Sequence, residues 1–485
     1  MFIGSALRRE VRPIHRFVRL LAVLGLASMS VGGWGEGAAA AAPGSELWVA
    51  PFDGRGVGSD AASGVVTSPD GSVVFVTGVS EEDYATIAYR SSTGARVWKQ
   101  RYDGPGSGAD HAEDLAVTPD GTTVIVTGAS TGATGRLDYA TVAYDAMDGT
   151  RRWIRRYDGP GTGDHGSDCA TSLAVSPDGT TVFVTGSSAG PMTHADHATI
   201  AYDATTGDRI WVQRFDGARG VNDGANAIAV SPDGTAVFVT GFTDDSKFYG
   251  RNYATFAYDA STGEERWATL FDSGTGSEPG DFATSVAVSP DGGSVFVTGS
   301  TTDEYATLAY EAATGVEIWS ARYGLGGYAT ATALAVSPDG TTVFVTGYNQ
   351  RWRDRTLEPY DYATLAYDAT TGERAWVRRF DGPVHGDAFA SSLAVSPDGS
   401  TVYVTGSAHT STTFDYDSDY ATIAYEAATG AGRWVRLHGG PDRYSDRASS
   451  IVVSPDGATV IVTGRTRAVA GGDWDDSYLT IAYAS

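Results

Sequence analysis

Cysteine is almost missing from this chain. Cys169 stands alone among 485 residues, so no internal disulfide can form and stability has to come from packing. A solitary thiol is expected to be buried and inert. Positive charge is scarce as well. Only 34 lysines and arginines face 59 acidic residues, a formal net charge of -25. Such a surface repels phosphate backbones and anionic lipid, which argues against a nucleic-acid partner. Past residue 42 no run is apolar enough to cross a bilayer, and no segment carries a long helical period. P-loop and H-E-x-x-H motifs are absent too, which removes the commonest nucleotide-binding and zinc-protease signatures.

The first 42 residues stand apart from the rest. Arg8, Arg9, Arg12, Arg16 and Arg19 lead into an apolar stretch from Leu20 to Val31, and Ala38 to Ala42 offers small residues for cleavage. That order is the order of an export signal, and Arg8-Arg9 is compatible with the twin-arginine route. The expectation is a signal peptide over 1–42 and a secreted, soluble mature protein. Five arginines and two glutamates leave with the signal, so the mature chain is more acidic still.

What the chain has in abundance is one repeated unit. Ala201-Tyr202-Asp203-Ala204-Thr205-Thr206-Gly207-Asp208-Arg209-Ile210-Trp211 reads as strand, tight turn, strand. Its pattern recurs up to Trp98, Trp153, Trp211, Trp267, Trp319, Trp376 and Trp434. An eighth tryptophan, Trp48, lies near the start, and the missing first half of its unit, Ala482-Tyr483-Ala484-Ser485, ends the chain. One repeat is therefore split between the termini. A second landmark, [ST]-P-D-G, also occurs eight times, from Ser68 to Ser454. In it proline presets φ and glycine takes φ > 0.

Around these landmarks each repeat holds four short strands, a to d, with tryptophans 50 to 58 residues apart. This spacing predicts an all-β, eight-bladed β-propeller over 45–485, closed by an N-terminal outer strand, 45–54, in the last blade. Closure removes the open edge that would invite association, so a monomer is expected. The variable b-to-c and d-to-a loops fall on one face. The longest b-to-c loops are expected at Tyr348–Asp361, Ser407–Asp419 and Arg465–Ser477.

The A-x-D-x-x-T-G-x-x-x-W pattern resembles the tryptophan-docking motif of PQQ-type propellers, a family that includes eight-bladed quinoprotein dehydrogenases. The V-[FY]-V-T-G runs are similar to the SBBP- and YVTN-type repeats of secreted bacterial propellers. The resemblance implies a tryptophan packed between adjacent blades. It does not extend to the dehydrogenase cofactor cage with its bound cation, its adjacent-cysteine disulfide or its lid insertion, so PQQ is not expected.

Candidate functional residues come in two groups. Acids recur before strand a (Asp60, Asp110, Asp168, Asp223, Asp281, Asp446) and before strand c (Asp83, Asp138, Asp196, Glu304, Asp361, Asp419). Because they repeat with the blades, they read as acceptors for backbone N–H groups and not as acid–base pairs. The second group departs from the pattern. Arg351-Trp352-Arg353, His409 and Trp474 place cations, an imidazole and tryptophans on the variable face, residue types suited to anchoring a protein or glycan ligand. Asp415, Asp417 and Asp419 in one loop, with Asp473 and Asp475 in the next, offer oxygens to a calcium ion. His194-x-x-His197 is the one histidine pair with ligand spacing. The functional expectation is a secreted binding or scaffold propeller. The alternative is a propeller enzyme, either a quinoprotein-like oxidoreductase or a lyase or hydrolase on an extracellular polymer.

Overall fold

The Ser-Pro-Asp-Gly turns fold through their own side chains. In the first, Gly71 takes φ 71°, Ser68 Oγ donates to Asp70 Oδ1 at 2.5 Å, and the Val73 N–H donates to Ser68 Oγ at 3.0 Å. The Ser68 hydroxyl holds the Asp70 carboxyl below its ordinary range, and the turn is fixed without help from outside. It joins Ala61–Thr67 to Val73–Ser80, which pairs with Asp83–Arg90, which pairs with Arg96–Tyr102. These antiparallel strands are a, b, c and d of blade 1.

The computed structural model contains eight such sheets, each in the order a-b-c-d, and the sixth carries one further short strand. It describes residues 41–485 apart from 55–58, 107, 162–166, 191–193, 218–221, 246–249, 275–279, 354–355, 412–416, 441–443 and 471–472. The expected signal peptide, but for its last two residues, and Asp415 lie outside the described residues. Blades 2 to 7 begin at Asp110, Cys169, Asp223, Phe282, Gly326 and Ala388. Blade 8 is Arg447–Val453, Thr459–Ala470 and Asp473–Ala484, with Glu46–Phe52 as its outer strand. No helix among the described residues is long and apolar enough to cross a membrane.

Register fixes the closure. Trp48 stands opposite Ala482, Ala50 opposite Thr480 and Phe52 opposite Tyr478. The split repeat also reaches one turn further back than its sequence pattern shows. Gly44 takes φ 74° and its N–H donates to Ala484 O at 2.8 Å. Pro43-Gly44 thus does for blade 8 what Thr-Gly does elsewhere.

The reason for that glycine is the tryptophan of the preceding blade. A Cβ on Gly207 would lie 2.7 Å from Trp153 Cδ2, and one on Gly44 would lie 3.0 Å from Trp434 Cδ2. The indole lies flat on the turn of the next blade. Its Nε1–H donates to a carbonyl there, as in Trp153 to Ala204 O at 3.0 Å and Trp48 to Ser91 O at 2.6 Å. Seven of the eight junctions are thereby locked by an aromatic surface and one directional bond, and at the eighth Trp434 lies on Gly44.

The c strands are buried on both faces, as their composition predicts. Tyr84, Ala85, Ile87 and Ala88 have no exposure. Tyr84 donates its hydroxyl to Ala140 O of the next blade at 3.1 Å, and Thr86 bonds Thr77 at 3.1 Å. Nearest the axis, a-strand side chains bond across the junctions, as in Ser63 to Ala112 O (2.8 Å), Thr171 to Ala225 O (2.9 Å) and Asn226 to Ala283 O (2.7 Å).

Candidate functional site

The repeated acids are structural, as their periodicity implies. Asp168 accepts the Gly159 N–H at the end of blade 2 and the Ala189 N–H of its own b strand, both at 2.8 Å. Asp110 does the same with Gly104 (2.5 Å) and Thr131 (2.7 Å). The acids before strand c pair with an arginine on strand d of the same blade. Asp83 meets Arg101 at 2.7 Å, Asp138 meets Arg156 at 2.8 Å, Asp196 meets Arg214 at 2.6 Å, and Asp361 meets Arg379. Blades 4, 7 and 8 break this rule. There the arginine position is Leu270, Leu437 or Pro51. Asp223 differs from its fellows too, since burial pushes its carboxyl up to about 6.

The most pronounced departure is in blade 6. Sequence spacing puts Arg351-Trp352-Arg353 in a long loop, but the b strand runs on without a break from Thr342 to Arg353. It turns back into Thr356–Leu357, with Trp352 opposite Leu357. The a strand lengthens to match, and Gly326 stands opposite Arg351. Gly327 permits this close approach, because a Cβ there would lie 2.9 Å from Gln350 Cβ and 3.0 Å from Leu357 Cδ2. The extra strand pairing satisfies backbone groups that a loop would leave to water.

The resulting arm carries exposed apolar surface. Trp352 is 55 % exposed, Tyr328 53 % and Leu357 42 %. Trp352 and Leu357 form a cross-strand pair, and Tyr328 stands in the bulge beside them. Glu358 lies between the two arginines, 3.9 Å from Arg351 Nε and 3.6 Å from Arg353 Nη1. At the base of the arm Tyr348, Tyr360 and Phe389 stack with centroids 5.0 to 5.4 Å apart. Phe389 belongs to blade 7, so the arm is braced against its neighbour.

His409 ends the b strand of blade 7, and its N–H donates to Asp387 O at 2.9 Å. Asp387 in turn accepts the Tyr360 N–H at 2.9 Å. The structure therefore brings His409 to the foot of the arm that bears Arg351, Trp352 and Arg353. Trp474 is in the long c strand of blade 8, opposite Val469, and its side chain lies outside the described residues. That strand and its b partner pair out to Ala470 and Asp473, so most of the expected loop Arg465–Ser477 is hairpin.

The calcium ligands expected from sequence divide between two junctions where they are described. Asp417 is buried and, with Asp446, acts electrostatically on Asp419, whose carboxyl is raised first by burial. Asp475 instead acts on Asp53, at the junction of blades 8 and 1. Asp415 and the Asp473 side chain lie outside the described residues.

Of two other candidates, His197 is absorbed by the core and Cys169 is half-buried. His197 has 1 % exposure, its Nε2 bonds Phe242 O at 2.8 Å, and burial lowers it to about 4. It is a neutral core residue and not one half of a metal pair with His194. Burial pushes the Cys169 thiol up to about 11, which makes it unreactive at neutral pH. Sequence reading missed Tyr328 and Leu357. The signal available was the Gly326-Gly327 pair, which replaces the aspartate-bearing d-to-a connection of other blades.

Comparison with known proteins agrees with this geometry. The family model described as outer membrane protein assembly factor BamB matches residues 37–300, 195–352 and 308–476 in overlapping segments. No curated protein sequence matches the chain. Among solved structures, quinohemoprotein alcohol dehydrogenase ADHIIG of Pseudomonas putida HK5 shares 15 % identity, with 91 % of this chain and 76 % of that one covered and a TM-score of 0.57. The Comamonas testosteroni quinohemoprotein alcohol dehydrogenase gives 14 %, 90 %, 76 % and 0.54. The Dos1 propeller gives 10 %, 90 %, 95 % and 0.53. At such identities the likeness is one of fold.

Proposed function

This chain belongs to the PQQ-like repeat family described as outer membrane protein assembly factor BamB, and we propose that it is an exported binding or scaffold propeller that docks a protein or glycan through its variable face. The observation that carries this reading is the blade 6 arm. Three exposed apolar side chains belong to this arm, Trp352 and Leu357 as a cross-strand pair and Tyr328 on the lengthened a strand, with Arg351 and Arg353 on either side of Trp352. Exposed apolar residues grouped on a rigid support are what a binding anchor requires. The family description is that of an assembly factor and not of an enzyme. The export signal over 1–42 and the acidic composition fit a monomer working outside the cytoplasm on neutral or basic ligands.

The test is a screen of the mature protein on glycan and peptide arrays, repeated with Trp352→Ala and Tyr328→Ala. Each substitution should weaken binding of any hit by about 10- to 100-fold, the range for loss of an exposed aromatic anchor. Hits that both variants bind as well as the parent would place the ligand elsewhere.

The alternative, a quinoprotein-like oxidoreductase, meets a chemical obstacle. Its cofactor carries three carboxylates and needs cations around it. Among the residues of the eight a strands only His111 and Arg447 are basic, while Glu113 and Asp114 are acids that burial raises. These residues do not fit the cofactor. The mature protein mixed with PQQ and calcium should therefore show no dye-linked alcohol oxidation and no stoichiometric uptake of the quinone. Measurable turnover would reverse the assignment.

A further inference from the structure

Three successive junctions bring carboxylates together: Asp83, Asp103 and Asp110; Asp138, Asp158 and Asp168; Asp196, Asp216 and Asp223. In each group one oxygen per residue lies within 4.8 Å of the others. Oxygens held 2.3–2.6 Å from one calcium ion stand up to about 5 Å apart, so the spacing suits a shared ion. Spacing alone decides nothing, since the acids before strand a already serve the backbone.

The third junction is different. Asp110 and Asp168 each accept two backbone N–H groups, one on either oxygen. Among the described residues Asp223 accepts one backbone N–H, that of Gly217, on Oδ2 at 2.7 Å. The N–H that would meet Oδ1, that of Asp244, donates instead to Asn222 O at 3.1 Å. Asp223 has no solvent exposure. Among the described residues its Oδ1 has no donor in good hydrogen-bonding geometry, and the Thr243 hydroxyl beside the carboxyl offsets its burial only in part. A fully buried carboxylate oxygen without a donor is costly unless something positive meets it. Asp138 Oδ1 in the second group also lacks a donor, but there Asp168 is filled.

Charge points the same way. Among the described residues Arg214, 2.6 Å from Asp196, offsets one of the three carboxylates and leaves two negative charges. Asp216 is exposed, so an ion can reach the group from solvent. We propose that the junction of blades 3 and 4 binds one calcium ion through Asp196, Asp216 and Asp223, with water completing the shell. The ion would join the d-strand end of blade 3 to the a strand of blade 4 and so clamp a junction that lacks one of its backbone bonds.

Terbium is the probe, because Tyr157 can sensitise it. The Tyr157 hydroxyl lies 2.8 Å from Arg214 Nη1, at the edge of the group. Chelator-stripped full-length mature protein should give terbium luminescence that saturates and is displaced by calcium, and calcium should raise the melting temperature. Asp216→Asn should weaken binding at this site at least tenfold and leave the cation-free melt unchanged. Asp103→Asn and Asp158→Asn should retain the site. If Asp216→Asn folds poorly, Asp216→Glu gives the second reading: it should bind at least tenfold more weakly, and Asp158→Glu should not. No binding by the parent protein, binding untouched by Asp216→Asn, or binding lost instead with Asp158→Asn or with Asp417→Asn and Asp475→Asn would each overturn the proposal.

Discussion

A chain that starts at residue 55 should not form a closed monomeric ring. Removing 43–54 takes away Gly44, Trp48 and the whole outer strand of blade 8. The c strand of that blade, Asp473–Ala484, becomes an open edge of unpaired N–H and C=O groups. Trp434 loses the glycine turn on which it lies. Trp48 is buried to 8 % exposure, and loss of such a side chain alone costs roughly 3–5 kcal/mol against a net stability of about 5–15 kcal/mol. The truncated protein is expected to elute from size-exclusion columns as oligomer or aggregate and to melt well below the intact mature chain. Trp48→Ala in the full chain is the milder companion, with a monomer retained and the melt lowered. A truncated chain that stays monomeric and melts like the parent would mean that the terminal strand is not needed for closure.

His197 should make the protein lose stability in mild acid. Its pKa falls from 6.5 to about 4 because burial removes the solvent that would stabilise the imidazolium. The unfolded chain takes up a proton near 6.5 and the folded chain does not until about 4. This group's contribution is therefore complete above about pH 6.5, falls as pH drops through the window, and levels off below about 4. The shift corresponds to about 3 kcal/mol. Buried aspartates with raised values, Asp223 among them, act in the opposite sense. They contribute stability at low pH that is lost as pH rises through their folded values, so the quantity to measure is a difference. His197→Gln keeps a donor for Phe242 O and cannot titrate. Denaturant unfolding at several pH values from 7.5 to 4.5 should show the parent losing ground to this variant by about 2.5 kcal/mol across the range. Parallel curves would show that His197 titrates normally.

The origin of that histidine illustrates what one-dimensional reading misses. Seven blades have tyrosine at this position, and blade 3 has His197. Its cause lies one blade further on. There Phe256 fills a place held by isoleucine, valine or leucine in the other blades. Phe256 lies 5.2 Å from the imidazole and 4.6 Å from Phe215, ring centre to ring centre. The smaller ring makes room for the larger one across the junction. The same holds for Pro43-Gly44, whose role depends on Trp434 arriving from blade 7. It holds again for the arm, where a stretch expected as loop became strand because Gly326-Gly327 let strand a follow it.

The sequence by itself determined the blade count, the split repeat and the structural character of the repeated acids. All three rest on signals confined to one unit and repeated eight times: a Ser-Pro-Asp-Gly turn that folds on its own hydroxyl and carboxylate, alternation that buries both faces of strand c, and a tryptophan at a constant offset. Tertiary structure alone decided which exceptions meet. Whether Asp216 stands beside Asp196 and Asp223, or Asp475 near Asp53, depends on how side chains from different blades converge at a junction. Junction packing is a property of pairs of repeats, set by shape and charge across a gap the chain takes some fifty residues to return to, and no pattern within a single repeat encodes it.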